Sequence, residues 1–104
     1  MPFEFDGDRF DHFDKHRFDF GLAFADEVEY EAAADAMLAE PLSGDLHECT
    51  RPDGNRVRYR ISTNEMVVVD VRGFIRTYFC PDPAIHDEPS NWAYFEAQRT
   101  RIFP

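Results

Sequence analysis

The chain contains one lysine, Lys15; its other ten basic residues are arginine. Lysine scarcity beside abundant aspartate is a compositional bias of a GC-rich or high-salt source. It leaves no solubility reason for the one lysine that is kept. Cysteine is also scarce. Cys49 and Cys80 are too few for a disulfide scaffold, and the ordinary reading of each is a small, partly buried thiol. Whether neighbouring strands bring the two together is left open. His47-x-Cys49 and Cys80…His86 lack the ligand spacing of a zinc site. No apolar run approaches the roughly 18 residues of a membrane span. Met1-Pro2-Phe3-Glu4-Phe5-Asp6 lacks the basic start and apolar stretch of a signal peptide. Any export is therefore expected to depend on a larger parent chain or a dedicated secretion machine.

What is present is enough for one packed core. The 104 residues are 43% hydrophobic and 15% aromatic, with eleven Phe, so a single folded domain spanning 1–104 is expected. Net charge is −10, the reverse of an ordinary nucleic-acid-binding domain. The distribution weakens that objection. Residues 1–50 carry fourteen acids against three bases, or −11, whereas residues 51–76 carry six arginines against three acids, or +3. Residues 77–104 sum to −2.

Periodicity then orders the chain. Asp8 is a candidate N-cap for a first helix running to His16, with Phe10 and Phe13 to one side and the i, i+4 pair His12 and His16 on another. Phe3-Glu4-Phe5 before it alternates like a short edge strand. A second helix is capped by Asp26, with Glu29 at N3 as in a capping box. It carries the apolar stripe Tyr30, Ala33, Ala34, Met37 and Leu38, and stops at Pro41. From Leu46 the period becomes two. Strands are expected over 46–51, 56–61, 66–71 and 74–79, joined by turns at Pro52-Asp53-Gly54-Asn55, Ser62-Thr63-Asn64 and Arg72-Gly73. In the second strand Arg56, Arg58 and Arg60 share one face, and Val57, Tyr59 and Ile61 the other. Trp92, Tyr94 and Phe95 are too apolar to hang in water, so 90–99 is a short helix or a packed tail. The fold class is α+β: two N-terminal helices on a four-stranded antiparallel β-meander, with a short C-terminal helical tail.

Lys15-His16 is the pair that points to chemistry. Imidazole moves protons near neutral pH, and a compact ammonium offsets charge developing on a phosphate. The pair leads into Phe18-Asp19-Phe20-Gly21. Val57-Arg58-Tyr59 follows, then a turn through Asn64 into the Met66–Val71 run, then Gly73-Phe74-Ile75-Arg76-Thr77-Tyr78-Phe79. In this order the segments resemble the colicin D-like ribonuclease toxin domains of the barnase/EndoU/colicin/RelE-type superfamily, found as C-terminal toxins of polymorphic, Rhs and contact-dependent inhibition systems. The ending Thr77–Asp82, Ile85-His86 and Asn91–Gln98 is similar to tails of phage and polymorphic-toxin versions. The resemblance spans roughly residues 10–98.

The resemblance implies that His16 takes the place of the catalytic histidine and Lys15 that of its neighbouring lysine. Thr77 occupies the position of a hydroxyl residue on the last strand, and Phe79 that of an aromatic one. Tyr78 beside it is taken as a substrate contact. Arg58, as a phosphate or phosphorane ligand, and the substrate-binding Arg56 and Arg60 come from strand parity, not from the family. Such domains cut tRNA or other RNA without a metal or cofactor, using the ribose 2′-OH as nucleophile. Aromatic side chains can stack an unpaired base. The implied partners are RNA, tRNA foremost, and a cognate immunity or antitoxin protein, with no DNA and no membrane. The implied place of action is the cytoplasm, reached in some systems by delivery into a target cell within a larger secreted toxin.

Three other readings compete. An acidic chain of this size suits an immunity or antitoxin module whose negative face covers a basic partner. The opening Phe3-Glu4-Phe5-Asp6 with Lys15-His16 and Phe18 has some likeness to RelE-like toxins of the BrnT branch. His12, His16 and nearby Asp residues have spacing that a divalent metal can use, although no third ligand is fixed.

Overall fold

In the computed structural model, which describes residues 2–21 and 23–100, the helices and strands follow the order read from the sequence. Met1 and residues 101–104, the ends of the expected 1–104 unit, lie outside the described residues. Helix α1 spans Asp6–His16 and runs into a 3₁₀ turn, Arg17–Phe20. Helix α2 spans Glu27–Ala39. Strands β1 (Leu46–Thr50), β2 (Arg56–Arg60), β3 (Glu65–Val69) and β4 (Ile75–Phe79) precede helix α3, Asn91–Ala97. The strands form one antiparallel sheet in the order β1-β2-β3-β4.

Local chemistry explains the boundaries. The carboxylate of Asp26 accepts from the N–H groups of Val28 and Glu29 at 3.1 and 3.0 Å, and Glu29 reaches back to the Ala25 N–H at 3.1 Å. Ser90 caps α3 by accepting from Ala93 N–H at 3.0 Å. α1 differs from expectation. It starts at Asp6 with Phe5 as its N-cap and no side-chain cap, so Asp8 lies inside the first turn, where with Asp6 it faces the positive helix end. The short edge strand expected at Phe3 reduces to one bridge to Ile75, fixed by Ile75 N–H donating to the Pro2 carbonyl at 2.8 Å. Glu31 on α2 accepts from Phe3 N–H at 3.0 Å. Phe13 enters the core while Phe10 stays exposed. Residues at i, i+3 lie about 60° apart on a helix, and the contact of α1 is too narrow to cover both.

The sheet is covered on both faces. On one, Phe13 of α1 and Tyr30, Ala34, Met37 and Leu38 of α2 pack on Leu46, Val67, Val69, Ile75 and Tyr78. On the other, Phe95 of α3 packs on Cys49, Val57, Tyr59, Met66 and Val68. The tail is therefore a core element in its own right. Val67 and Val69 face the first layer while Met66 and Val68 face the second, which is why this strand reads as a continuous apolar run. Cys49 and Cys80 are both free thiols.

Candidate active site

α1 ends beside β4, and His16 occupies that junction. Its ring lies 5.4 Å from the ring of Phe79 and 6.1 Å from that of His12. His16 Nδ1 donates to Asp19 Oδ2 at 3.0 Å. Asp19 belongs to the 3₁₀ turn, and the same oxygen accepts from the Cys80 N–H at 3.4 Å, just past the end of β4. Gly21, in the left-handed conformation with φ 61°, ends this turn and lets the chain double back. An imidazole oriented by a carboxylate at Nδ1 presents Nε2 for proton transfer. Burial holds the His16 imidazole below its ordinary 6.5. The hydrogen bond and charge of Asp19 oppose that shift, and Lys15 adds to it.

A cleft of about 590 Å³ opens beside this ring, lined by His12, Lys15 and His16 of α1 and by Arg76, Thr77 and Phe79 of β4. Arg51, Asp53 and Asn55 of the β1–β2 turn and Tyr94 of α3 close its far side. That turn depends on Gly54, whose φ is +91° and where an added Cβ would meet Val71 Cγ1 at 2.8 Å. The lining carries Lys15, Arg51 and Arg76 against one acid, Asp53, so the cleft is locally positive on a chain of charge −10; Arg76 also pairs with Glu4 at 4.0 Å and Arg51 Nε donates to Gln98 at 2.8 Å. Lys15 is exposed, and among the described residues no carboxylate pairs with it. None of the acids of residues 26–40 lines the cleft. Lys15, His16, Phe79 and Tyr94 also border a second hollow of about 680 Å³, which continues over Phe18, Asn64, Ile85, His86 and Asn91. There His86 stacks on Tyr94 with ring centroids 4.3 Å apart.

The structure brings Lys15, His16, Thr77 and Phe79 to one cleft, but not the arginines of β2 or Tyr78. Arg56, Arg58 and Arg60 do share a face. Register decides which one: Arg58 pairs with Val67 and Arg56 with Val69, both of which look toward the α1/α2 layer. Arg58 Nη1 donates to the carbonyls of Met37 and Glu40 at 3.2 and 2.7 Å, capping the C-terminus of α2, and Nε donates to Glu48 at 2.9 Å. Arg60 pairs with Glu40 at 2.8 Å and with Glu65 at 3.5 Å; Arg56 pairs with Glu48 at 3.6 Å. Tyr78 is 1% exposed. Its hydroxyl donates to Glu65 and its carbonyl accepts from the Tyr30 hydroxyl. These four are fold residues. Arg58→Ala is accordingly expected to lower stability by about 1–3 kcal/mol by leaving Glu48 and the helix carbonyls unpaired. RNA cleavage per folded molecule, measured beside a urea unfolding curve, is expected to stay unchanged.

Sequence reasoning did not single out Asp19, Arg51, Arg76 and Tyr94 at this cleft, and it considered His12 only as a metal ligand. His12, set beside His16 by spacing alone, is half-buried between Phe3 and His16. Arg76 was hidden by a β-bulge. Val69 pairs with Ile75 but Val68 with Thr77, so Arg76 is the extra residue, and strict alternation assigns it to the wrong face. Asp19 alone left a readable signal, a carboxylate three residues after the histidine it orients. No three His, Cys, Asp or Glu side chains among the described residues gather as a metal site.

No protein-family model matches the chain, and no curated protein matches it. Among solved structures, a ribonuclease from Escherichia coli complexed with its inhibitor protein is similar, with a TM-score of 0.61 over 85% of this chain and 95% of that one. The two are 20% identical, so the likeness is one of fold.

Proposed function

We propose that the chain is a metal-independent endoribonuclease toxin domain of the colicin D-like kind, cutting RNA by attack of a ribose 2′-OH on the adjacent phosphorus. The observation that carries this reading is the carboxylate-oriented His16 beside Lys15, Arg76 and Thr77 in one positive cleft. His16 Nε2 takes the proton from the 2′-OH and returns it to the departing 5′-oxygen. Lys15, Arg76 and Arg51 offset the charge of the phosphorane, and the Thr77 hydroxyl donates a hydrogen bond to it. The 2′-oxygen bonds to phosphorus as the 5′-oxygen leaves, so the products are a 2′,3′-cyclic phosphate and a 5′-hydroxyl. Phe79 and Tyr94 offer ring faces for an unpaired base. The shared fold with a ribonuclease supports the reading, and the inhibitor bound to that ribonuclease suggests a cognate immunity protein for this chain. The domain then acts on cytoplasmic RNA, tRNA foremost, after delivery within a larger toxin.

The test is cleavage of tRNA, rRNA and mRNA by the purified chain in excess EDTA, with end-group analysis of the products. Cyclic phosphate ends without added metal are expected. Cleavage that requires a divalent ion sinks the mechanism. No cleavage of any RNA favours an acidic binding module instead.

A further inference from the structure

We infer that His12 is a neutral hydrogen-bond donor to the substrate phosphoryl group, working beside His16 without exchanging a proton. This rests on the ribonuclease reading of the same cleft and assigns a part that reading leaves empty. Three observations carry it. The His12 ring lines the cleft, between Phe3 at 5.6 Å and His16 at 6.1 Å in near-parallel stacks. Its Nδ1 is buried and has no hydrogen-bond partner, so Nε2 is the nitrogen left to face the cleft. No carboxylate orients it as Asp19 orients His16.

The chemistry follows from where a proton can sit. A proton on Nδ1 would be a buried donor without an acceptor, which is expensive, and an imidazolium would need one. A bare lone pair is the cheaper occupant of that buried position. His12 therefore rests as the Nε2–H tautomer, whose free hydrogen points to the cleft. The surroundings agree. Burial lowers its pKa below the ordinary 6.5, as do His16 and Lys15 on its own helix and Arg76 from β4; Asp8 is the one acid that opposes them. A neutral imidazole N–H is a strong fixed donor for a phosphoryl oxygen, and it carries no charge that would depress the nearby His16 further.

Substitution separates this role from its rivals. His12→Gln places an amide N–H where Nε2 stood but cannot titrate. His12→Phe keeps the stack on Phe3 and His16 and removes the donor. On a tRNA substrate, with the wild-type chain as reference, His12→Gln is expected to stay within about tenfold of wild-type kcat/KM, with an unchanged pH profile. His12→Phe is expected to lose about 10²-fold or more with a melting temperature equal to or above wild type, because the unpartnered nitrogen is gone. If Gln is as damaging as Phe and removes a limb of the pH profile, His12 transfers a proton and the inference is wrong. If Phe cleaves like wild type, His12 is only packing and the inference is again wrong. If Phe is unfolded, the Gln variant decides: retained activity and profile uphold the donor role, and their loss overturns it. Failure of the wild-type chain to cleave any RNA would instead remove the ribonuclease reading itself.

Discussion

His16→Ala is expected to lower the rate of RNA cleavage by about 10²–10⁴-fold, the usual contribution of a placed acid–base group, with little change in fold. The ring contributes packing to Phe79 and His12 but sits at a junction and not in either sheet core. Asp19 keeps its contact with the Cys80 N–H when the imidazole is gone, so the 3₁₀ turn retains an anchor. The measurement is a single-turnover rate at matched folded concentration, with far-UV circular dichroism and a melting curve for each variant. A variant that melts well below wild type yet cleaves at its rate would make His16 a structural residue and remove the centre of the proposed mechanism. Growth of cells expressing the variant gives an independent readout, since toxicity should fall with the rate.

Tyr30→Ala is expected to have the largest effect on stability, a loss of about 3–5 kcal/mol. Tyr30 is fully buried, and the rings of Phe3, Phe13, Phe20, Phe24 and Tyr78 lie 5.2 to 6.2 Å from its own. Its ring meets residues of the N-terminal bridge, α1, the 3₁₀ turn and β4 together. Its hydroxyl donates to the Tyr78 carbonyl, and burial drives its pKa well above the ordinary 10, so the phenol stays protonated as that donor requires. A domain of this size has roughly 5–15 kcal/mol in total, so the alanine variant should give up a large share of its stability and its urea midpoint should fall well below wild type. Tyr30→Phe keeps the ring and loses the donor, and is expected to cost about 1–3 kcal/mol. Urea unfolding of both variants checks the split. A loss below about 1 kcal/mol for alanine would mean that the aromatic cluster is not what holds α1 to the sheet.

The fold was legible because its signals are local. Asp26 and Glu29 announce α2, the run Met66–Val69 announces a strand buried on both faces, and Gly54, Asn64 and Gly73 mark turns, where the structure gives all three a positive φ. The four residues that line the cleft as the resemblance implied, Lys15, His16, Thr77 and Phe79, come from α1 and β4; the resemblance grouped them, since no local pattern joins positions so far apart in the chain. The arginines of β2 misled for a physical reason. Alternation says that side chains share a face but not which layer covers it, and that depends on register with β3, a non-local property. Tyr78 failed for a local reason: one step out of phase with Thr77 and Phe79, it lies on the opposite face by alternation alone. Arg76 needed knowledge of a bulge, and His12 needed the position of Phe3. Neither leaves a trace in spacing.

The cleft draws on both ends of the chain: His12, Lys15 and His16 near the start, Arg76, Thr77 and Phe79 late, and Tyr94 later still. Asp19 is likewise steadied by Cys80, sixty-one positions downstream. A polypeptide still being synthesised thus holds its histidine and lysine long before the strand and helix that complete the pocket have emerged. On the ribonuclease reading proposed above, this order keeps the unfinished molecule from assembling its reaction centre beside the translation machinery. The order of the elements would then act as a timer, leaving an interval in which an inhibitor of the proposed kind could be waiting when α3 docks.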